Sequence, residues 1–309
     1  MRGVTALRLW AICGLATWLT LAVAPAGAQA LEARTLEVAG TNRSYNIYVS
    51  PACRLPRARC PLVFGFHGGG LRAVSGRQLA QSGDFITAAA RRNVVMVFPD
   101  AIASNWNDGR PGIGGGVDDI RFVRALIATL QNELPGVDRT RTFATGMSNG
   151  GHLSFRLACE MAGSITAIAP VAATLSVALS KQCAPRQPIP VLNILGTQDR
   201  LSPYSGGEIM GGRGMVLSAA QTLAFWARAD RCADAVSESR EGAVTVRQYT
   251  RCGGGAKVRQ ISLADGGHTW PGHPGALILA RLVGPTSMSL DATTAIFDFF
   301  GIPENKETA

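Results

Sequence analysis

The chain has 309 residues, 47% of them hydrophobic, and a formal net charge of +9. That length and apolar content fit one large domain with a full-sized core and exclude a disordered or low-complexity chain. Arg54 to Arg59 is the one locally basic stretch, so the excess charge reads as a solvated surface suited at most to acidic polymers, with no arm for nucleic acid.

The first residues read as a targeting segment. Arg2 and Arg8 precede an apolar run from Leu9 to Ala24, and Ala26-Gly27-Ala28 supplies a small-x-small cleavage pattern, with Ala28-Gln29-Ala30 as a second register. The run is short for a membrane span. The expectation is a signal peptide over 1–28 (cleavage at 28 or 30), a single domain over 31–309, no stable membrane insertion, and a secreted or periplasmic protein. Beyond Cys13, six cysteines remain: Cys53, Cys60, Cys159, Cys183, Cys232 and Cys252. In an oxidising compartment an even number implies disulfides, and sequence neighbours are the economical pairs: 53 with 60, 159 with 183, 232 with 252. No Cys-x-x-Cys pair has histidines nearby, so no metal site is expected.

Two edge strands are expected at Arg34 to Val38 and Arg43 to Val49, followed by a Pro/Arg/Cys loop. Pro61 to Phe66 is a continuous apolar run of the kind buried on both faces of a parallel sheet, and it ends in His67-Gly68-Gly69-Gly70. Phe85 to Arg91 reads as helix and Asn93 to Phe98 as a second buried strand. After a loop with Trp106-Asn107-Asp108, Asp118-Asp119 starts a helix to Leu134, with Ile120, Val123, Leu126, Ile127 and Leu130 at helical spacing. Arg141 to Ala144 reads as strand and His152 to Cys159 as helix. Further strands are expected at Ile165 to Val171, Val191 to Leu195, Ala243 to Thr250 and Val258 to Leu263, with helices at Ala219 to Ala229 and Ala292 to Phe300. Alternating strands and helices imply an α/β fold with a doubly wound, mainly parallel sheet.

Gly146-Met147-Ser148-Asn149-Gly150 has the form Gly-x-Ser-x-Gly at a strand-to-helix junction. A serine hydroxyl becomes a useful nucleophile when a sharp turn holds it proud of the backbone beside a base, and such a turn needs small residues on either side. Ligands in these sheets bind at the carboxyl ends of strands. Gly196-Thr197-Gln198-Asp199 follows one strand and Gly266-Gly267-His268-Thr269-Trp270 follows another, giving the chain order Ser148, Asp199, His268. Asp265 is a rival acid that would have to fold back on His268. His67 reads as a brace for its glycine loop, and His152 and His273 lack the setting of a strand end flanked by glycines. For the oxyanion, the N–H of Asn149 and one from the glycine loop are expected, Gly69 first and Gly68 next.

With these residues in place the chain resembles the secreted polyhydroxybutyrate depolymerase and feruloyl esterase family of α/β-hydrolases. The likeness runs from about Tyr45 to Phe300 and includes His67-Gly68-Gly69-Gly70, Trp106-Asn107-Asp108, Val117-Asp118-Asp119, the serine motif, Gly196-Thr197-Gln198-Asp199 with Pro203-Tyr204, and Gly267-His268-Thr269-Trp270-Pro271-Gly272. It departs from the family at Arg200 to Ser202. The resemblance implies a Ser148, Asp199, His268 triad that hydrolyses carboxylic esters through an acyl-enzyme, with no cofactor. The expected substrate is an oligomeric or polymeric ester, hydroxyalkanoate first, with feruloyl or acetyl groups on plant polysaccharide as the alternative. An exported protein that binds polymer or glycan without turnover is the reading from a different class. The interval from Ala172 to Pro190 is too short for a lid, so an open cleft is expected, with Trp106, Tyr204 and Trp270 either as a shallow aromatic floor for the substrate or, Trp270 above all, as local core packed under the loops.

Overall fold

The computed structural model describes residues 31–70, 75–233, 236–274 and 280–305. The expected signal peptide lies outside them. The chain runs β1 (Glu32–Val38), β2 (Thr41–Val49), β3 (Cys60–Phe66), α1 (Gly76–Ser82), α2 (Phe85–Ala90), β4 (Val95–Pro99), α3 (Asp119–Glu133), β5 (Val137–Met147), α4 (Asn149–Met161) and β6 (Ala167–Val171). It continues through α5 (Val177–Ser180), β7 (Val191–Gly196), β8 (Gly207–Glu208), β9 (Met215–Val216), α6 (Ala219–Ala229), β10 (Ser237–Glu241), β11 (Val244–Tyr249), β12 (Val258–Leu263), α7 (Ala280–Val283) and α8 (Ala292–Phe299).

Ten of these strands form one sheet in the order β1-β2-β4-β3-β5-β6-β7-β12-β11-β10. From β4 to β12 neighbouring strands are parallel, and an antiparallel pair flanks each end. The expected α/β architecture is present. In β3, Leu62, Phe64 and Phe66 face one core layer with Phe122, Leu126, Phe155 and Trp226, while Val63 faces the other with Leu79, Phe85, Ile296 and Phe297. Period-two alternation between two apolar layers is why the run from Pro61 to Phe66 carries almost no polar residue. Phe64 is fully buried, and cutting it to Ala is expected to cost about 3–5 kcal/mol.

Two sequence expectations change. The strand from Arg43 to Val49 is not an edge, because β2 pairs with β1 on one side and β4 on the other. The Ala39-Gly40 turn, with φ of 53° and 77°, folds β1 back over it as a two-residue hairpin. The strand read at Arg141 to Ala144 extends from Val137 to Met147, and α1, α5, α7, β8, β9 and β10 have no counterpart in the sequence reading. Every residue of β10 is exposed, so it lacks the apolar alternation that marks a strand.

All three expected disulfides form: Cys53–Cys60, Cys159–Cys183 and Cys232–Cys252. Among the described residues no helix is long and apolar enough to cross a membrane.

Candidate active site

Ser148 stands between β5 and α4 with φ 55° and ψ −116°, a conformation that non-glycine residues avoid. Its N–H donates to Val171 O at 2.9 Å and its carbonyl accepts from His152 N at 2.9 Å, so β6 and the first turn of α4 fix both sides of the bend. The glycines around it are required by space. A Cβ on Gly146 would stand 2.6 Å from the carbonyl of Gly150, and one on Gly150 would collide with Phe66 O. Only bare backbone lets α4 leave this close to the ends of β3 and β5.

The acid and the histidine come from the ends of β7 and β12. His268 Nδ1 and Asp199 Oδ2 are 2.7 Å apart, with side chains 8% and 3% exposed. The other carboxylate oxygen, Asp199 Oδ1, accepts from the N–H groups of Leu201 and Ser202, each at 2.8 Å. The segment that departs from the family pattern therefore holds the acid through its backbone. Thr197 N donates to Leu263 O and Gln198 N to Gly266 O, which zips the two loops together. Asp265 points elsewhere, accepting from Ser289 Oγ at 2.8 Å. It is not a partner of His268.

His67 plays the bracing part read for it. Its ring lies 2.6 Å from Gly68 O through Nδ1, and Nε2 accepts from Ala101 N at 3.0 Å. Burial lowers its pKa, and the Nε2 contact fits the neutral tautomer with hydrogen on Nδ1. Gly68 lies beside Ser148, since a Cβ there would be 3.7 Å from the serine Cβ. Gly69 packs between Asn105 and Asn149, where a Cβ would be 2.8 Å from Asn149 Oδ1. Asn149 opens α4, and the first N–H groups of a helix have no intrahelical acceptor.

The aromatic floor is corrected by burial. Trp106 is fully buried, its Nε1 donates to His67 O, and its ring packs edge-on to Phe66. Trp270 is 5% exposed, packs on Phe85 and donates to Thr293 Oγ1. Both are core residues beneath loops. Tyr204 is half-buried, with its hydroxyl 2.8 Å from Ser262 Oγ on β12.

The Trp106-Asn107-Asp108 motif serves the site through other atoms. Trp106 N donates to Asn149 Oδ1 at 2.7 Å, and Asn149 Nδ2 donates to Trp106 O and to Asp108 Oδ2, the latter at 2.6 Å. Buried Arg110 grips Asp108 through Nε and Nη2, and its Nη1 donates to Arg213 O. Arg213 Nη2 donates to Asn105 Oδ1 at 2.7 Å. Asn105, Arg110 and Arg213 were missed in the sequence because they belong to no catalytic pattern. Arg213 lies on the turn of the β8–β9 hairpin, which follows the acid loop and is anchored to it by Met210 N donating to Leu201 O. His152, buried on α4, has a pKa well below its usual value because of burial, reinforced by Arg110, His268 and Arg213. It stays neutral.

Asp119 explains a further motif. Its carboxylate accepts from Arg43 Nη2 and from Asn107 N, each at 2.7 Å, tying the loop to α3 and β2, while Asp118 caps α3. Among the described residues no group of three or more His, Cys, Asp or Glu is placed to hold a metal. Surface hollows of about 360 and 560 Å³ border Asn107, Arg156 and Glu160, and include none of Ser148, Asp199 and His268.

A strained serine at a strand-to-helix turn, with an Asp–His pair at the ends of two later parallel strands, defines the α/β-hydrolase class. No family model matches the chain. It is 30% identical over 293 residues to "Putative esterase NocK" of Nocardia uniformis, covering 86% of this chain and 81% of that protein. It is also 30% identical over 220 residues to feruloyl esterase B of Piromyces equi, spanning 67% of this chain but 39% of the relative. With the probable feruloyl esterase C of Aspergillus clavatus the identity is 30% over 149 residues, 47% of this chain and 51% of that one. The structure of the acetyl xylan esterase from Aspergillus awamori superposes with a TM-score of 0.59 at 13% identity, covering 88% of this chain and 100% of that one, which supports the fold alone. The chain belongs to the esterase family that includes NocK, and it is a carboxylic ester hydrolase.

Proposed function

We propose that the chain is an exported serine esterase that removes feruloyl or acetyl groups from plant polysaccharide through an acyl-enzyme on Ser148. The observation that carries the mechanism is the 2.7 Å bond between His268 Nδ1 and Asp199 Oδ2. Asp199 holds the ring so that Nε2 faces the reaction. Nε2 takes the Ser148 proton as the hydroxyl attacks the ester carbonyl, and the N–H groups of Asn149 and Gly69 receive the oxyanion. His268 returns the proton to the leaving alcohol, then draws one from water for deacylation. The feruloyl esterases among its relatives favour this substrate class over hydroxyalkanoate.

A panel of feruloyl, acetyl-xylan and 3-hydroxybutyrate esters, compared by kcat/KM on purified protein, tests the substrate class. Preference for hydroxybutyrate would reverse the order. Binding of polysaccharide with no ester turnover would leave the non-catalytic reading. Three disulfides suit an oxidising compartment, and we read 31–309 as one domain released after residue 28 or 30. N-terminal sequencing of exported protein checks that boundary.

A further inference from the structure

Arg213 has an environment that its surroundings leave incomplete. Among the described residues no carboxylate is in ion-pair contact with it, and its side-chain hydrogen bond there goes to the neutral Asn105 Oδ1. The acid whose charge acts on it, Asp108, is already gripped by Arg110. Burial weakens the hold of Arg213 on its proton, and the Arg110 charge weakens it further, against a smaller pull from Asp108. A guanidinium partly removed from water beside a second cation is unfavourable unless something negative approaches it.

Its position says where that charge would come from. Arg213 Nη1 is 3.6 Å from the point a Cβ on Gly70 would occupy, so it overhangs the glycine loop that passes Ser148 at Gly68. The Arg110 bond to its carbonyl and the Met210 bond to Leu201 O fix the hairpin between the glycine loop and the acid loop. On the same hairpin Met210 and Met215 are 48% and 52% exposed, an apolar flank beside the cation.

We infer that Arg213 is a specificity-determining residue that receives a carboxylate carried by the ester substrate, with the β8–β9 hairpin as the wall of the cleft. The planar fork of the guanidinium suits two parallel bonds to a carboxylate. This rests on the ester-hydrolase reading of Ser148. A uronate beside an acylated sugar and the free acid end of a hydroxyacid oligomer both present such a group.

The test compares kcat/KM in two matched pairs: acetylated xylo-oligosaccharide with and without a glucuronate branch, and 3-hydroxybutyrate trimer as free acid and as methyl ester. Wild type should prefer the charged member of at least one pair by about tenfold, the scale of one charge-assisted contact. That ratio should collapse in Arg213→Gln, partly return in Arg213→Lys, and shrink as salt is added. The pair that responds identifies the source of the carboxylate. Equal turnover of charged and neutral members by wild type, or a ratio unchanged in Arg213→Gln, overturns the inference while ester hydrolysis stands. Absence of turnover on every ester overturns both.

Discussion

Asn149 and Asp108 meet at 2.6 Å, both buried, which ties the residue after Ser148 to a carboxylate held in turn by Arg110. The side chain of Asn149 is spent on this clamp and on the backbone of Trp106, so its own N–H is aimed by contacts 41 to 43 residues away. Replacing Asp108 by Asn strands the Arg110 charge and repels or misdirects the Asn149 amide. The expected loss is about 3–5 kcal/mol of stability, as for a broken buried pair, with kcat down by ~10²-fold, the effect of one displaced oxyanion donor. Urea unfolding and steady-state kinetics read the two effects, and an unchanged urea midpoint contradicts the clamp.

Ser148→Ala should lower ester turnover by ~10³-fold or more with the fold intact, as for a triad nucleophile. Asp199→Asn should do far more damage than Asp265→Asn, since only Asp199 touches His268. A tenth of normal activity in Ser148→Ala with an unchanged circular dichroism spectrum would refute the assignment.

Asp230, fully buried, predicts a stability trend with pH. Burial pushes its carboxyl up to about 7, against the Ile189 N–H and the Arg231 charge. Its folded pKa lies above the unfolded 3.8, so the native state holds the proton more tightly between those values. Its contribution is greatest at the acid end, declines as pH rises through that window, and is level above about 7. In Asp230→Asn that decline is absent. Thermal midpoints of variant and wild type, measured from pH 4 to 8, should diverge in favour of the variant as pH rises, and a constant difference would sink the idea.

Cys232–Cys252 closes a loop with a sequence separation of 20 and brackets β10 and β11, which pair onto the strand leading to His268. Denatured, unreduced protein should show no titratable thiol outside the 1–30 segment. Removing this pair as Cys232→Ala with Cys252→Ala should cost about 3 kcal/mol. Two free thiols beyond residue 30 would refute the framework.

The parallel centre of the sheet was legible because β3 and β4 are buried on both faces and read as unbroken apolar runs, and β7 departs from that only at the buried amide of Asn193. The serine turn was legible because its steric demand permits so few residues at Gly146 and Gly150. β10 was not, since an exposed strand held by one neighbour needs no apolar face. Trp106 misled for a related reason: a tryptophan in a glycine-rich loop at a strand end fits a substrate floor or a plug equally well, and only the depth of the loop decides. Arg213 and Arg110 escaped because their roles arise from contacts across 103 residues, which no local spacing records.

The backbone of Ser148 has a consequence for how this enzyme changes under selection. At φ 55° and ψ −116° a serine carries a Cβ penalty that glycine does not, while the hydroxyl contributes little to packing. Ser148→Gly should therefore unfold at a higher temperature than wild type while losing ester turnover. A library enriched for heat resistance or soluble yield alone would drift toward that silent variant, so any stabilisation campaign on this scaffold needs turnover as a paired screen.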